Sequence, residues 1–296
     1  MAKNKELTET NLPRQIRVST GSAIVLGLLE GKLSAKPTTI YLMTYKVGKC
    51  TANCGFCPQA RNSQSNAELL SRVSWPAFPM SSVLKKIGHK AEHGEIMRVC
   101  IQALNYPDVF MHLIALVAAI KQHTSIPISI SCQPLKKENI RRLSEAGVER
   151  IGIPIDAATE KLFSEVKGEN AYGPYMWKQQ FRHLCEAVEI FGKGRVSTHL
   201  IIGLGETEKE ALSFIQKCVD IDVIPALFAF TPVRGTTLET KSQPHVESYR
   251  RIQLARHLII NRQTRSECMH FDSSGHLTEC GIKKDKLDWI VEDGKP

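Results

Sequence analysis

The segment TTIYLMTYKVGKCTANCGFCPQ occupies residues 38–59 and joins a predicted strand to a group of cysteines. Residues 38–45 are rich in β-branched and aromatic side chains and therefore predict a β-strand. The loop that follows carries Cys50, Cys54 and Cys57 in the spacing C-x3-C-x2-C. Three thiolates this close together can bind three irons of a four-iron cluster and leave the fourth iron open. Zinc sites more often pair two C-x2-C elements or add histidines at ligand spacing, and neither pattern occurs here, so the loop predicts an iron–sulfur cluster.

Strand-like segments recur along the chain and alternate with helical patterns. After the first strand, the predicted strands lie at residues 96–103, 127–133, 150–156, 195–205 and 224–233. The helical patterns lie at residues 107–122, 134–146, 173–191, 206–219 and 245–261. Repeated strand–helix units imply parallel strands joined by right-handed crossovers. Either an open doubly wound sheet or a β/α barrel satisfies this pattern.

The domain organisation follows from the absence of any linker-like shift in composition. We therefore expect one α/β domain, a full or partial β/α barrel over residues 38–263, with its active site at the carboxyl ends of the strands. Residues 1–37 are expected to form an N-terminal extension with a helix at residues 16–33. The sequence changes character after Thr264, and residues 264–296 predict short strands or loops that pack over one end of the barrel.

The composition limits which cellular compartment and which binding partners are expected. The chain has 296 residues, of which 42% are apolar and 23% charged, enough to close a substantial core. Its longest apolar run, residues 113–120, is far too short to span a bilayer, and the run at residues 23–29 lacks a convincing cleavage site. We therefore expect a cytoplasmic protein, in which the nine cysteines favour metal or redox chemistry over disulfides. The net charge of +9 suits a nucleic acid, an acidic protein or an anionic small molecule, although the basic residues occur in pairs rather than in long blocks.

Two strand-end motifs carry candidate ligand-binding residues. LIIGLGET, at residues 200–207, is a poor dinucleotide fingerprint because Glu208 stands at the third glycine position. Gly203 and Gly205 allow the backbone to approach a ligand closely, and they equally suit a tight strand-to-helix turn. Asp156 ends the predicted fourth strand in GIPIDAA, where its carboxylate can accept hydrogen bonds from a ligand or cap the next helix.

The cysteine spacing, with the aromatic Phe56 before the third cysteine, resembles the radical S-adenosylmethionine (SAM) superfamily. This resemblance implies a full or partial β/α barrel whose open iron binds SAM. It also implies reductive cleavage of SAM to a 5′-deoxyadenosyl radical that abstracts hydrogen. From about residue 38 to residue 235 the chain is similar to biotin and lipoyl synthases. The family's Gly-Glu segment for the SAM amino group has no evident counterpart, because residues 102–105 read Gln-Ala-Leu-Asn at that place.

The similarity to biotin synthase also implies roles for particular residues. Gly203, Gly205 and Glu206 are implied to shape the adenine site of SAM, and Phe56 is implied to contact SAM. Asp156 is implied to contact the SAM ribose and the substrate. His199 is a further candidate for the site, although a histidine satisfied within the core explains its position more simply.

Four cysteines outside the loop predict a second, auxiliary cluster. Cys100 and Cys132 resemble positions at which biotin synthase holds its auxiliary cluster, but the third family cysteine is replaced by Ser197. Cys268 and Cys280 would complete a set of four thiolates, the complement of a four-iron cluster, if the C-terminal segment folds back over the barrel mouth. The alternative is that these cysteines are buried residues without a metal.

The chain as a whole most resembles the archaeal two-protein lipoyl synthases. That resemblance implies radical sulfur insertion at carbon 6 or carbon 8 of a protein-bound octanoyl-lysine chain. The implied partners are an octanoylated lipoyl carrier protein or domain, a paralogous radical SAM protein, and a ferredoxin or flavodoxin electron donor. Lipoyl carrier domains are commonly acidic, which the charge of +9 would complement. The alternatives are a biotin synthase acting on dethiobiotin, a radical enzyme of cofactor maturation without sulfur insertion and, least favoured, an iron–sulfur electron carrier. We expect no membrane partner, and no recognisable RNA-binding appendage supports a nucleic-acid substrate.

Overall fold

The computed structural model describes residues 12–294, which build a β-sheet flanked by helices. The strands within these residues are β1 (Gln15–Val18), β2 (Thr39–Thr44), β3 (Leu69–Leu70), β4 (Val73–Ser74), β5 (Ala77–Pro79), β6 (Arg98–Gln102), β7 (Ile128–Ser131), β8 (Arg150–Gly152), β9 (Val196–Ile202), β10 (Ile224–Ala229), β11 (His270–Phe271) and β12 (Leu277–Glu279). The helices are α1 (Thr20–Val25), α2 (Met80–Glu92), α3 (Val109–His123), α4 (Lys137–Glu145), α5 (Glu160–Val166), α6 (Trp177–Phe191), α7 (Glu208–Asp220), α8 (Val246–Ile260) and α9 (Lys284–Glu292).

The main sheet has the order β10-β9-β8-β7-β6-β2-β1-β5. Its six strands from β2 to β10 are parallel, and β1 and β5 extend it antiparallel beyond β2. All six parallel strands lie where the sequence predicts them, and a helix follows each. Within residues 12–294 the sheet ends at β10 on one side and at β5 on the other. The prediction of a β/α barrel is therefore confirmed in its partial, open form.

The two faces of the sheet differ in what covers them. One set of alternate residues, such as Ile130 and Leu200, lies fully buried beneath the helices. The other set points to the inner face, because paired residues of neighbouring parallel strands point the same way. Tyr41 pairs with Cys100 on this face, and Tyr41 and Phe228 are 40% and 46% exposed. The inner face is therefore open enough to receive a ligand.

Local sequence accounts for the helix ends that border the sheet. At the start of α7, the Thr207 side chain accepts the Glu210 N–H and the Glu210 carboxylate accepts the Thr207 N–H, a complete capping box. Helix α6 ends at Gly192, whose φ of 84° suits glycine. Among residues 12–294 no helix has the length and apolar character needed to cross a membrane.

The predicted N-terminal helix at residues 16–33 is wrong over most of its length. Residues Gln15–Val18 form β1, in which Ile16 and Val18 are buried, and only Thr20–Val25 is helical. The alternation of apolar residues with Arg17 suits a strand, and β2 offers an edge with which β1 pairs. Gly27, with φ of 65°, follows the end of the short helix. Residues 1–11 of the expected extension lie outside the described residues.

The C-terminal segment packs along α7 rather than over one end of the barrel. Arg265 pairs with Asp220 at the carboxyl end of α7 at 2.9 Å, and the Gly275 carbonyl accepts the Lys209 N–H near its amino end. The exposed face of α7 therefore carries the β11–β12 hairpin. A buried carboxylate, that of Glu208, anchors the hairpin by accepting the Leu277 N–H at 2.7 Å.

Candidate active site

The loop that carries Cys50, Cys54 and Cys57 leaves the carboxyl end of β2 and folds back on itself. The Cys50 N–H donates to the Gln59 carbonyl at 2.9 Å, and the Cys57 N–H donates to the Cys54 carbonyl at 3.0 Å. The backbone N–H of Asn105, which follows β6, donates to the Cys50 sulfur at 3.1 Å. The three predicted cluster ligands are therefore held in one folded loop at the end of the barrel where the active site was expected.

Lys49 ties the two arms of this loop together. Its ammonium group donates to the carbonyls of Pro58 and Ser65, both at 2.7 Å. Burial lowers the pKa of Lys49, whereas the neighbouring Cys57 sulfur raises it. Phe56 lies partly buried against the core beside this loop, and its contact with SAM stays a prediction. Lys49 thus supplies a fixed positive charge close to the sulfur of Cys57.

The thiols themselves are poorly hydrated. Cys50 and Cys54 are buried, and Cys57 is partly buried. Burial raises the pKa of Cys54 and raises that of Cys57 to about 12. Without a bound cation these two thiols therefore stay protonated at neutral pH, and metal binding releases their protons.

The donor set fits a four-iron cluster better than a single metal ion. Within residues 12–294 no three His, Cys, Asp or Glu side chains converge on a point that one ion could occupy. A four-iron cluster does not require such convergence, because each thiolate binds a different iron. The three free thiols of the loop, with an N–H donor to Cys50 and the ammonium of Lys49 nearby, provide the sulfur ligands and compensating charge that such a cluster needs.

The segment that follows α5 covers one side of the cysteine loop. The Gly55 N–H donates to the Val166 carbonyl at 2.7 Å. The Asn53 side-chain amide donates to the Ala171 carbonyl at 2.8 Å. Residues 166–175 are therefore part of the wall around the predicted cluster.

The segment that follows β10 covers the other side. The Leu238 N–H donates to the Gly55 carbonyl at 3.0 Å, and the Gln64 N–H donates to the Gly235 carbonyl at 2.7 Å. Gly235 has φ of 82°, and a Cβ atom there would lie 2.5 Å from the Ser65 nitrogen. Only glycine fits this close approach. The segments that follow β8 and β10 thus meet at the cysteine loop.

Asp156 forms a buried ion pair at the end of the fourth parallel strand. Lys167, which is fully buried, donates to Asp156 Oδ2 at 2.6 Å and also to the Pro154 carbonyl. His199 Nδ1 lies 3.8 Å from Asp156 Oδ1. Burial lowers the pKa of His199, so its imidazole is neutral at pH 7. The three side chains bring one carboxylate and two nitrogen groups together beside the inner face.

The helix-cap alternative for Asp156 is wrong. Helix α5 is capped by Thr159, whose side chain accepts the Leu162 N–H. Asp156 instead has φ of 74°, an uncommon backbone conformation for a residue other than glycine. Strained positions of this kind cluster at functional sites. The contact of Asp156 with the ribose and substrate stays a prediction.

The GLGET turn is organised around a carboxylate. Glu206 accepts the N–H groups of Gly203, Leu204 and Gly205 at 2.6, 3.1 and 3.2 Å. Gly203 and Gly205 have φ of 102° and 133°, and a Cβ atom at Gly203 would lie 2.8 Å from Pro244. Backbone conformation and packing therefore explain both glycines. The roles of Gly203, Gly205 and Glu206 at the adenine of SAM stay predictions.

The auxiliary cluster predicted on Cys100, Cys132, Cys268 and Cys280 stays a prediction, because the structure places these cysteines on different elements. Cys100 lies on the inner face in β6, and Cys132 is buried just beyond β7. Cys268 is exposed in a turn that packs against α7, and Cys280 follows β12 in the same segment. Since α7 itself packs on β9, the helix separates the C-terminal cysteines from the strand cysteines. The physical reason is the anchoring of the hairpin on the outer face of α7.

The sequence analysis did not identify two residues of the site. Lys167 and Tyr175 are both buried near the cysteine loop. Neither belongs to a spaced motif, and a lone lysine or tyrosine in a helix-rich stretch gives no signal of burial. Only the uncommon burial of an ammonium group, visible in the structure, singles out Lys167.

Fold and loop together define a partial β/α-barrel protein with a cluster-binding loop at the carboxyl ends of its strands. The radical SAM superfamily profile matches residues 45–218, and the chain belongs to that superfamily. The matched region contains the cysteine loop, Asp156 and the GLGET turn.

Comparison with individual proteins agrees with this family. The chain is 26% identical to the biotin synthase of Citrifermentans bemidjiense over 67% of its own length and 57% of that protein. It is 24% identical to the biotin synthase of Chlorobium phaeobacteroides over 69% of its own length and 58% of that protein. The chain thus spans somewhat over half the length of these curated relatives. The solved structure of methylornithine synthase (PylB) superposes with a TM-score of 0.59 at 14% identity, covering 75% of this chain and 62% of that one, which shows a common fold.

Proposed function

We propose that this radical SAM enzyme inserts sulfur into an unactivated C–H bond of a protein-bound octanoyl-lysine chain, the reaction of a lipoyl synthase. When bound, a cluster on Cys50, Cys54 and Cys57 supplies the electron that cleaves SAM to a hydrogen-abstracting radical. The observation that carries the proposal is the open inner face of the sheet, which lies beside the cysteine loop and is lined by half-exposed apolar side chains.

The inner face suits an alkyl chain. Phe228 and Ile224 of β10 are 46% and 38% exposed, and Tyr41 of β2 is 40% exposed. Phe228 packs edge-on against the His199 ring, with centroids 4.9 Å apart. An octanoyl chain laid on this surface would bury apolar area at about 25 cal/mol per Å². The same face also carries polar side chains such as Gln102, Ser131 and Ser197, so the alkyl chain would pack along β10.

The open edge of the barrel suits a tethered substrate. Within the described residues β10 is an edge strand of the main sheet, so the inner face is accessible from the side. A chain attached to a lysine of a carrier protein must enter with its carrier still outside. An acidic carrier domain would be attracted to an enzyme of net charge +9.

The residues around Asp156 would bind and orient SAM and substrate. The Asp156 carboxylate can accept hydrogen bonds from hydroxyl groups while Lys167 compensates its charge. His199, neutral at pH 7, can donate or accept one hydrogen bond at the inner face without adding charge. Asp156 and Lys167 are buried, so their charged groups lie out of bulk water.

Sulfur insertion needs a donor as well as a radical. Each C–H replaced by C–S requires removal of one hydrogen atom by the SAM-derived radical and bonding of a sulfide to the carbon, with one electron passing to the donor cluster. Because the C-terminal cysteines lie apart from Cys100 and Cys132, we assign that sulfide to a cluster of the paralogous partner. A ferredoxin or flavodoxin is the proposed electron donor.

A biotin synthase acting on dethiobiotin is the second candidate, and the sequence match to biotin synthases favours it. Dethiobiotin is a free small molecule and needs no lateral access for a carrier. A radical enzyme of cofactor maturation without sulfur insertion shares the same fold and SAM chemistry. The substrate assay separates these three possibilities.

The test is anaerobic reconstitution with iron and sulfide, followed by reaction with SAM and a reductant. We expect release of 5′-deoxyadenosine and loss of this activity in Cys54→Ala. An octanoyl-lysyl peptide, incubated with the paralogous partner, should gain sulfur in the mass spectrum. Sulfur gain by dethiobiotin instead, or product without sulfur, would replace the lipoyl assignment, and a protein that binds no iron would overturn the cluster itself.

The inner face has its own test. Phe228→Asp should weaken use of the octanoyl peptide strongly, because a charge is placed where the alkyl chain packs, whereas Phe228→Leu should retain most of it. Substrate-free cleavage of SAM should be unchanged in both variants. Equal use of the peptide by both variants would show that the chain binds elsewhere.

A further inference from the structure

Tyr175 carries a buried hydroxyl group that has no hydrogen-bond partner among residues 12–294. The residue is 8% exposed, so water does not readily satisfy this donor. The Asn105 side chain lies beside the hydroxyl but does not reach hydrogen-bond geometry with it. Buried polar groups in native proteins are nearly always paired, and an unpaired one calls for a ligand or another explanation.

The position of Tyr175 places this hydroxyl beside the cysteine loop. Residues 166–175 are bonded to the loop through Gly55 and Asn53. The ring of Tyr175 lies 5.2 Å from the Lys167 ammonium, which occupies its face. A cation on the face of the ring leaves the hydroxyl at the edge free to bond another group.

The surroundings identify the acceptor as sulfur. Cys54 lies between Asn53 and Gly55, and both of these residues hydrogen-bond to the segment that ends at Tyr175. The pKa of the Tyr175 hydroxyl is raised first by burial and then by Cys54 and Cys50, which agrees with this placement. The Asp156 carboxylate already accepts the Lys167 ammonium. A sulfur made negative by iron binding is therefore the acceptor that remains for the hydroxyl.

We propose that the Tyr175 hydroxyl donates a hydrogen bond to a sulfur of the cluster held by Cys50, Cys54 and Cys57, and that it thereby raises the reduction potential of this cluster. The inference rests on the proposed cluster. Hydrogen bonds to the sulfurs are among the features that set the potential of an iron–sulfur cluster, because they stabilise the more negative, reduced state. Tyr175 is in this view a positioning and tuning residue rather than a catalytic one.

The expected change in reduction potential follows from the free energy of one hydrogen bond. A net contribution of about 1.4 kcal/mol corresponds to a factor of about ten in an equilibrium constant. For a one-electron couple, that tenfold change equals about 59 mV. Removing the hydroxyl should therefore make the cluster roughly tenfold harder to reduce.

The test compares Tyr175→Phe with the wild-type protein after anaerobic reconstitution. The fraction of reduced cluster is followed by electron paramagnetic resonance during a potentiometric titration, without SAM. We expect a more negative midpoint in Tyr175→Phe with unchanged iron content. Tyr172→Phe is the matched control, since Tyr172 lies in the same segment, is 79% exposed and should leave the midpoint unchanged.

The outcomes separate this inference from the proposed function. An unchanged midpoint in Tyr175→Phe, with a cluster present, overturns the hydrogen bond to sulfur. An unchanged midpoint together with weaker SAM binding, measured by calorimetry, places the hydroxyl on SAM instead and also overturns it. A wild-type protein that holds no cluster refutes the proposed function at the first step.

Discussion

Replacement of Lys167 by methionine tests the energetic importance of the buried ion pair beside the cysteine loop. Lys167 has no exposed side-chain surface, and its partner Asp156 is 7% exposed, with their polar atoms 2.6 Å apart. Methionine preserves much of the aliphatic volume but removes the ammonium group. Asp156 would then keep a buried charge without its partner.

The expected loss of stability follows from the burial of this ion pair. Breaking a buried pair by removing one partner typically costs about 3 to 5 kcal/mol, because the remaining charge is neither hydrated nor paired. For a chain of 296 residues, an unfolding entropy of about 2.1 cal/mol/K per residue gives roughly 0.6 kcal/mol/K. A loss of about 4 kcal/mol should therefore lower the melting temperature by roughly 6 °C.

The assay is anaerobic thermal and urea denaturation of the cluster-free protein. Lys161→Met is the control, because Lys161 is exposed in α5 and its replacement should change stability by less than about 0.5 kcal/mol. The double variant Lys167→Met with Asp156→Asn removes both charges and should be more stable than the sum of the single effects predicts. A melting temperature of Lys167→Met equal to that of the wild type, or strict additivity in the double variant, would refute the reasoning.

Three further predictions concern the loop, the C-terminal segment and its anchor. Gly235→Ala should lower the urea midpoint and the iron content, because the added Cβ would meet backbone atoms. Gly192→Ala has a similar φ of 84° but open space around the Cβ, so it should lower the free energy of unfolding by only about 1 kcal/mol. Equal effects of the two variants would contradict the role of the close approach. Cys268→Ser should retain the full iron content and SAM cleavage, because this thiol is exposed beyond α7, and a loss of iron would restore it as a ligand. Burial alone would raise the pKa of Glu208, but hydrogen bonds from Arg251 and the hairpin lower this pKa overall. The Glu208 carboxylate therefore stabilises the fold above its ordinary pKa of 4.5, and this contribution is lost as the pH falls below that value. Proteolysis of residues 265–281 should therefore quicken on acidification and in Glu208→Gln at neutral pH, and an unaltered rate in the variant would rule out this anchor.

The parallel strands and the helices around them were predictable because each carries its own periodic pattern. Strands such as β6 and β7 are short apolar runs bounded by turn residues, and the capping residues Thr207 and Glu210 mark the start of α7. The N-terminal strand was not predictable in the same way. Its apolar alternation spans only four residues, and they form a strand because β2 and β5 supply partners.

The cysteine loop was predictable because its ligands are close in sequence. Cys50, Cys54 and Cys57 fall within eight residues, so their meeting does not depend on the topology of the rest of the chain. Local spacing does not decide whether the four auxiliary cysteines meet. Most of the barrel sequence lies between Cys100 and Cys268. Composition does not tell on which side of α7 such a distant segment packs.

The sequence by itself determined the order of strands and helices, the thiol-rich loop and the membership of the radical SAM superfamily, because local spacing and periodicity express all three. The tertiary structure decided which distant polar groups meet. It brought Lys167 to Asp156, set the Tyr175 hydroxyl beside the cluster loop and placed the C-terminal hairpin on the outer face of α7. These contacts depend on burial and on the crossing of loops from separate strands, and such long-range packing leaves no periodic trace along the chain.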